Sequence, residues 1–495
     1  MFYMKKLSYL IAAFLIIGIT VVSCNKDDND DKRGDDVDFS EVEVQNFIWK
    51  GLNTYYLWKD NVPNLNNSKD NNDASYLNLL SSKTNPDDFF ESLIYDRNNV
   101  DKWSWIVDDY VALENSFAGI STSNGVDYRL TYESSNNVDV IGYVRFIENN
   151  SDASNKDVKR GYFFDAIDGQ QLTVSNYRSL LAQETYTMSF ADIVNGDFVS
   201  NGKSVELTKS EYHENPVYIT KTFDIDSKKI GYLMYNSFTS NYDKELNAAF
   251  AQLKSEGVTD LVLDLRYNGG GSVTTATYLA GMITGQFNGE LFTKEKWNNE
   301  LQDWFEKNHP DWLVNNFVNE INNGTTKEPI NSLNLTRLYV ITTSSSASAS
   351  ELIINGLRPY IDVVTIGTKT AGKYTASITL YDTETFNSPD KPTDAFSLWA
   401  MQPIVLQETN KIGENDKDGF DPNYEVIEYI DEMKPLGDQN EPLLAQALAL
   451  ITGVSAKKTI SKDGIRPIEV RGFKEESLFQ NQMYIDKKLP SGLRN

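Results

Sequence analysis

Residues 337–373 read RLYVITTSSSASASELIINGLRPYIDVVTIGTKTAGK. Leu338–Thr342 is a short apolar, β-branched run of buried-strand type, and Ala349–Leu357 has helical spacing with good helix formers at its start. Between them lies the serine-rich turn Ser344–Glu351. Small residues at a strand-to-helix turn admit a substrate backbone, and the helix start leaves unpaired N–H groups facing it. A serine there is placed like a nucleophile, and it needs a base to take its proton. The chain has two histidines, His213 and His309. Neither sits in a recognisable motif, so a Ser/His/Asp triad is weakly supported, though it stays open. Lysine is the alternative, because a desolvated ammonium loses its charge and acts as a base at neutral pH. Lys373 lies 25 residues after Ser348, beyond Val363–Ile366 and the glycines Gly367 and Gly372. One helix and one strand separate the two.

Ser-Ala-Ser-Ala-Ser-Glu at 346–351, followed by Gly372–Lys373, resembles the C-terminal processing (tail-specific) serine peptidases. The resemblance implies Ser348 as nucleophile and Lys373 as base. A second block, Asp264-Leu265-Arg266-Tyr267-Asn268-Gly269-Gly270-Gly271, matches the family pattern Asp-Leu-Arg-x-Asn-x-Gly-Gly. By the same resemblance the N–H groups of Gly270 and Ala349 form the oxyanion hole, where two fixed donors stabilise a tetrahedral intermediate. Two positions depart from the family. Ser377 stands where many members carry a glutamine that orients the lysine, and Pro359 where some carry an aspartate. A Ser348/Lys373 dyad follows rather than a triad, with Ser377 a shorter candidate for orienting the base. The chemistry calls for no metal or cofactor.

Each of these residues also has an ordinary structural reading. Serine-alanine runs form turns, glycine triplets form tight loops, and lysines are mostly solvated. It is their joint order and spacing that favours the peptidase reading. Gly367–Lys373 also fits a nucleotide-binding G-x-x-x-x-G-K, but Tyr374 replaces the Ser or Thr that would hold magnesium. The β-branched stretch Thr375–Tyr381 then reads as a strand where that motif needs a helix.

Residues 1–24 carry two lysines, an apolar run and Val21-Val22-Ser23-Cys24, the pattern of an export signal. Its end resembles a bacterial lipobox, which implies lipidation of Cys24, the single cysteine of the 495 residues. No disulfide can form within the chain. Residues 25–38 are an acidic tether with no apolar face. The net charge of −25 and the lack of a basic patch argue against nucleic acid as a partner. The lipobox resemblance, with an acidic stretch after the cysteine that resembles a surface-export signal of some Gram-negative bacteria, implies an outer-membrane lipoprotein of the Gram-negative cell envelope, periplasmic or surface-exposed.

The expected architecture is α/β and multidomain. Residues 39–105 form an N-terminal helical domain in which Phe47, Ile48, Leu52, Tyr55, Tyr56 and Trp58 recur at helical spacing. Residues 108–215 resemble a PDZ-like β domain with a helix at Val174–Leu181, of the kind that binds an extended peptide at a sheet edge. Residues 216–454 form the catalytic domain, and the resemblance implies a crotonase/ClpP-like ββα spiral. Within it, residues 285–335 are an insertion whose aromatics either form a lid or pack on the core. Residues 455–495 are a tail extended over the body. Two functions remain: a serine endopeptidase cutting unfolded or tail-exposed polypeptides, or a catalytically lapsed surface protein that binds peptides.

Overall fold

The computed structural model describes residues 39–69, 74–133, 137–322, 326–415, 417–454, 464–468, 470, 482–488 and 490. The export signal, Cys24, the tether and much of the tail lie outside the described residues.

Six strands form the central sheet, in the order Val217–Ile225, Lys228–Tyr235, Asp260–Asp264, Arg337–Thr342, Asp362–Gly367 and Tyr424–Glu425. The first pair is antiparallel and every later pair is parallel. Leu261, Leu263, Leu338 and Val340 pack on one face with helices Asp243–Ser255, Val273–Thr284 and Ala349–Leu357. Val262, Tyr339 and Ile341 pack on the other, against helix Pro442–Thr452. Both faces are buried, so these strands read as continuous apolar runs. The parallel strands ending at Asp264, Thr342 and Gly367 run the same way. The turns carrying Gly270, Ser348 and Lys373 therefore leave from one edge, where open α/β sheets place their ligands.

A second sheet runs Gly271–Ser272, Met483–Tyr484, Thr375–Ser377, Ile404–Asn410, Leu291–Trp297 and Val314–Asn316. The expected strand Thr375–Tyr381 is broken. A register shift at Ala376/Ser377 ends its first part, and Leu380–Tyr381 joins a separate sheet with Ala400–Gln402 and Trp105–Val107.

The N-terminal helices Glu43–Tyr55, Ala74–Leu80 and Pro86–Ser92 turn their aromatics inward, and Phe47, Ile48, Leu52, Tyr55 and Tyr56 are buried. They share one core with the central sheet instead of enclosing their own. The third helix starts as its sequence dictates. Pro86 fills the first turn, and the Asn85 side chain accepts from the Asp87 N–H at 2.8 Å.

Residues 120–213 include a six-stranded antiparallel sheet with a separate core built on Leu130, Val144, Phe164, Met188 and Leu207. Its helix begins at Tyr177, three residues later than expected. In the 285–335 segment Trp297, Phe305 and Phe317 are buried, and strand Leu291–Trp297 pairs with Ile404–Asn410. These aromatics pack on the core; they do not form a lid. Of the tail, Val470 enters the β-sheet core and Met483–Tyr484 becomes a strand.

Candidate active site

Ser348 caps helix Ala349–Leu357 with φ 59° and ψ −116°. A non-glycine residue at such angles stores about 1–3 kcal/mol of strain and persists only where its surroundings fix it. Here Glu351 supplies the restraint. Its buried carboxylate accepts from the Ser348 N–H at 2.9 Å, the Lys373 N–H at 2.8 Å, the Gly372 N–H at 2.7 Å and the Thr370 hydroxyl at 2.6 Å. One side chain thus ties the serine turn to the lysine turn. Burial raises the Glu351 pKa and these four hydrogen bonds pull it back. The Ser348 hydroxyl is itself buried without a hydrogen-bond partner.

Lys373 and Ser348 line the same cavity of about 20 Å³, together with Leu352 and Met483. Lys373 is 2 % exposed. Burial lowers its pKa from 10.5 to about 7, while the charges of Asp101 and Glu351 act in the opposite direction. Its Nζ stands 5.3 Å from the centre of the Trp103 ring. Asp101 is fully buried, and its negative charge is held by Tyr56 Oη at 2.8 Å, Ser104 Oγ at 2.5 Å and the Ser104 N–H at 2.9 Å. Asp382, lying beyond the strand after Lys373, accepts from Ser397 at 2.6 Å.

Gly270 and Gly271 adopt φ 115° and 134°, angles that favour glycine. A Cβ on Gly270 would overlap both Ser348 Cβ and the Gln482 carbonyl oxygen, and would crowd the Ala349 nitrogen. The glycine turn, the serine and the first helical N–H therefore meet at one point. The Gly270 N–H donates to Asn268 Oδ1 at 2.8 Å, and it is the Gly271 N–H that donates to the Gln482 carbonyl. Ser377 donates to Gln402 Oε1 at 2.6 Å, with Met483 O at 3.3 Å. The two histidines lie elsewhere: His213 is exposed beside Glu211, and His309 packs against Trp304.

A model of "Peptidase family S41" matches residues 229–386, and one of the "Peptidase S41 N-terminal domain" matches residues 43–105. Over these two segments the chain carries the peptidase family S41 domain and its N-terminal domain. The chloroplastic C-terminal processing peptidase of Tetradesmus obliquus is 27 % identical over 184 residues, covering 35 % of this chain and 39 % of its own. The carboxyl-terminal-processing protease of Picosynechococcus sp. (strain PCC 7002) is 25 % identical over 211 residues, covering 43 % and 44 %. The chain thus spans less than half the length of these curated relatives. A chain from Bacteroides fragilis NCTC 9343 assigned to the S41 proteases has a crystal structure that superposes with TM-score 0.62 at 25 % identity, covering 83 % of this chain and 97 % of that one.

Some residues of this S41 site escape a reading of the catalytic blocks. Glu351 was legible in principle, because Ser-x-x-Glu before an apolar helix is the capping-box spacing. Asp101 and Trp103 arrive from the N-terminal segment, Gln402 from a later strand and Gln482 from the tail just before Met483–Tyr484, with no local pattern to mark them. Asp264 and Arg266, part of the S41 block, serve the scaffold. Arg266 is fully buried and binds Asp264 at 2.7 Å, Glu428 at 2.8 Å and Glu441 at 2.9 Å.

Proposed function

We propose that this chain is a serine endopeptidase that cuts unfolded or tail-exposed polypeptides in the cell envelope, with Ser348 as nucleophile and Lys373 as general base. The observation that carries this reading is the buried Lys373, its pKa near 7, in one cavity with the strained Ser348. Neutral Lys373 takes the Ser348 hydroxyl proton as Oγ attacks the substrate carbonyl. The oxyanion is received by the Ala349 N–H and the glycine turn; Gly270 contributes once its N–H leaves Asn268. Lys373 then gives the proton to the departing amine, and water hydrolyses the acyl-serine. Ser377, held by Gln402, fixes the strand that follows the base.

The β region within 108–215 is the PDZ-like element in this reading, and it captures the polypeptide by strand addition. Cys24 is the lipid attachment point that holds the enzyme at the outer membrane. Labelling with radioactive palmitate that persists in Cys24→Ser would remove the anchor. Ser348→Ala and Lys373→Ala are each expected to abolish cleavage of an unfolded protein while circular dichroism stays unchanged. Full activity in either variant would sink the mechanism.

The lapsed peptide-binding alternative draws on the unpartnered Ser348 hydroxyl and the diverted Gly270 N–H. Fluorophosphonate labelling that depends on Ser348 would exclude it.

A further inference from the structure

A second cavity, of about 350 Å³, opens beside Gly270 and Gly271, between the catalytic sheet and the β region. Three carboxylates line it, Asp127, Glu148 and Glu214, against one guanidinium, Arg145. Arg145 is already committed to Asp127 through Nε at 2.5 Å and Nη2 at 2.8 Å, and its charge lies over the Tyr267 ring. Among the described residues, no lysine or arginine pairs with Glu148 or Glu214. Asn236 provides an independent sign of a missing occupant. It is 8 % exposed and lines the cavity, and neither its Oδ1 nor its Nδ2 has a hydrogen-bond partner. Leaving such an amide unsatisfied costs about 1–3 kcal/mol per group, which a ligand would relieve.

The path of a bound peptide past this cavity is drawn by the chain itself. Gln482 and Tyr484 line the acidic cavity, whereas Met483 lines the Ser348–Lys373 cavity. That is the two-residue alternation of an extended strand. The Gln482 carbonyl accepts from the Gly271 N–H, and a Cβ on Gly270 would overlap both that carbonyl oxygen and Ser348 Cβ, so the residue in its place presents its carbonyl beside the nucleophile and the glycine turn.

We propose that this cavity selects a lysine or arginine side chain on the substrate residue whose carbonyl is attacked. The inference rests on the peptidase reading above and adds its specificity. An ammonium or guanidinium donates to Glu148 and Glu214 and to Asn236 Oδ1, while Asn236 Nδ2 is left to donate to a peptide carbonyl. A bare metal ion fits less well, since no three ligating side chains converge among the described residues. Burial, and then the charge of Glu214, raise the Glu148 pKa; burial and then Asp127 raise that of Glu214 to about 7. Carboxylates so placed are short of a counter-cation.

The test compares two otherwise identical peptides, with lysine or norleucine before the cut, on the full chain, alongside mass-spectrometric mapping of cuts in an unfolded protein. Lysine and arginine are expected to dominate the position before the cut. The lysine peptide should exceed the norleucine peptide by about 10–100-fold in kcat/KM, as for a buried charged contact. Glu148→Gln/Glu214→Gln should erase that ratio while leaving the norleucine peptide within about twofold. Glu214→Lys, at a half-buried position, should invert the preference toward a glutamate peptide. Equal rates on both peptides, or a ratio unchanged in both variants, overturns the proposal and leaves the peptidase reading intact. Failure to cut either peptide, with no Ser348-dependent fluorophosphonate labelling, overturns both.

Discussion

The carbonyl oxygen of Gln482 accepts a hydrogen bond from the N–H of Gly271, one residue along from the expected oxyanion donor. The chain's own C-terminal segment therefore lies across the active site as a strand. It runs between Gly271–Ser272 and Ser377, parallel to both. The Ile485 N–H donates to Ser377 O at 2.9 Å, Asp486 accepts from Ser272 and Thr274 at 2.9 and 2.7 Å, and the Tyr484 ring stacks on Phe117 at 4.4 Å. A substrate strand needs these same edges.

Truncation after residue 481 is accordingly expected to raise kcat/KM on an unfolded protein about tenfold, or ~1.4 kcal/mol of relieved competition. A synthetic 482–495 peptide should inhibit the truncated enzyme competitively. Tyr484→Ala, which loosens the strand without removing it, should fall between the two. A truncated protein that stays folded but is less active, and is indifferent to the peptide, would show that the strand is a fixed part of the sheet.

Lys373 fixes the pH dependence. Its folded pKa of about 7 lies below the ordinary 10.5, because burial penalises the ammonium. Activity should rise with pH through about 7 as the neutral amine appears, and a flat profile on a confirmed substrate would contradict this. Stability follows in the same direction, rising with pH over a higher window. The folded state is fully penalised below about 7, where the buried lysine must be charged. The penalty shrinks from there to 10.5 and vanishes above it. A shift of this size amounts to about 5 kcal/mol at most. Lys373→Met should therefore abolish cleavage and raise Tm at pH 6 by several degrees, with a much smaller gain near pH 10. An equal change in Tm at both pH values would mean that the lysine is not held neutral.

How much of this was legible in the sequence depends on how local each signal is. The strand at 337–342 and the helix at 349–357 are set by contiguous apolar runs, and both lie where the sequence predicts. Thr375–Tyr381 reads as one strand because its residue types are uniform. The break comes from pairing with Ile404 across a bulge, a partner far along the chain. The aromatics of 39–105 show that a face is buried but not against what, and their core proves continuous with that of the central sheet. Asp101, Trp103, Gln402 and Gln482 reach the site only through tertiary packing. Their spacing from Ser348 carries no period to read.

Arg266 offers a test that separates scaffold from chemistry within one motif. Its guanidinium binds Asp264 and Glu441 where all three are buried, and it shares Glu428 with Arg160 of the β region at 2.6 Å. Arg266→Met would strand those carboxylates and is expected to cost about 3–5 kcal/mol, read as a shift in the denaturant midpoint. Arg266→Lys should recover only part of this, because a point charge cannot fork between carboxylates. Asp264→Asn/Glu441→Gln in the Arg266→Met background should restore much of the loss. A stable but inactive Arg266→Met would instead assign this arginine to the reaction.

Glu351 is the positioning residue whose loss should be felt at both ends of the dyad. It touches no reacting atom, yet it holds the Ser348, Gly372 and Lys373 N–H groups together through two oxygens. Glu351→Gln keeps the shape but turns one acceptor into a donor facing N–H groups, so at least one of these bonds is lost. With Ser348 strained at φ 59°, the turn is then free to relax. A misplacement of about 1 Å at a nucleophile costs on the order of 100-fold, so kcat should fall by roughly that factor with KM little changed. The pH profile supplies a readout that a purely structural role would not move. The Glu351 charge raises the Lys373 pKa, so its removal should shift the acid limb of the profile downward. Glu351→Asp should keep the acid limb in place and recover part of kcat. An unchanged acid limb in Glu351→Gln, together with a loss of activity that tracks only Tm, would reduce Glu351 to a helix cap.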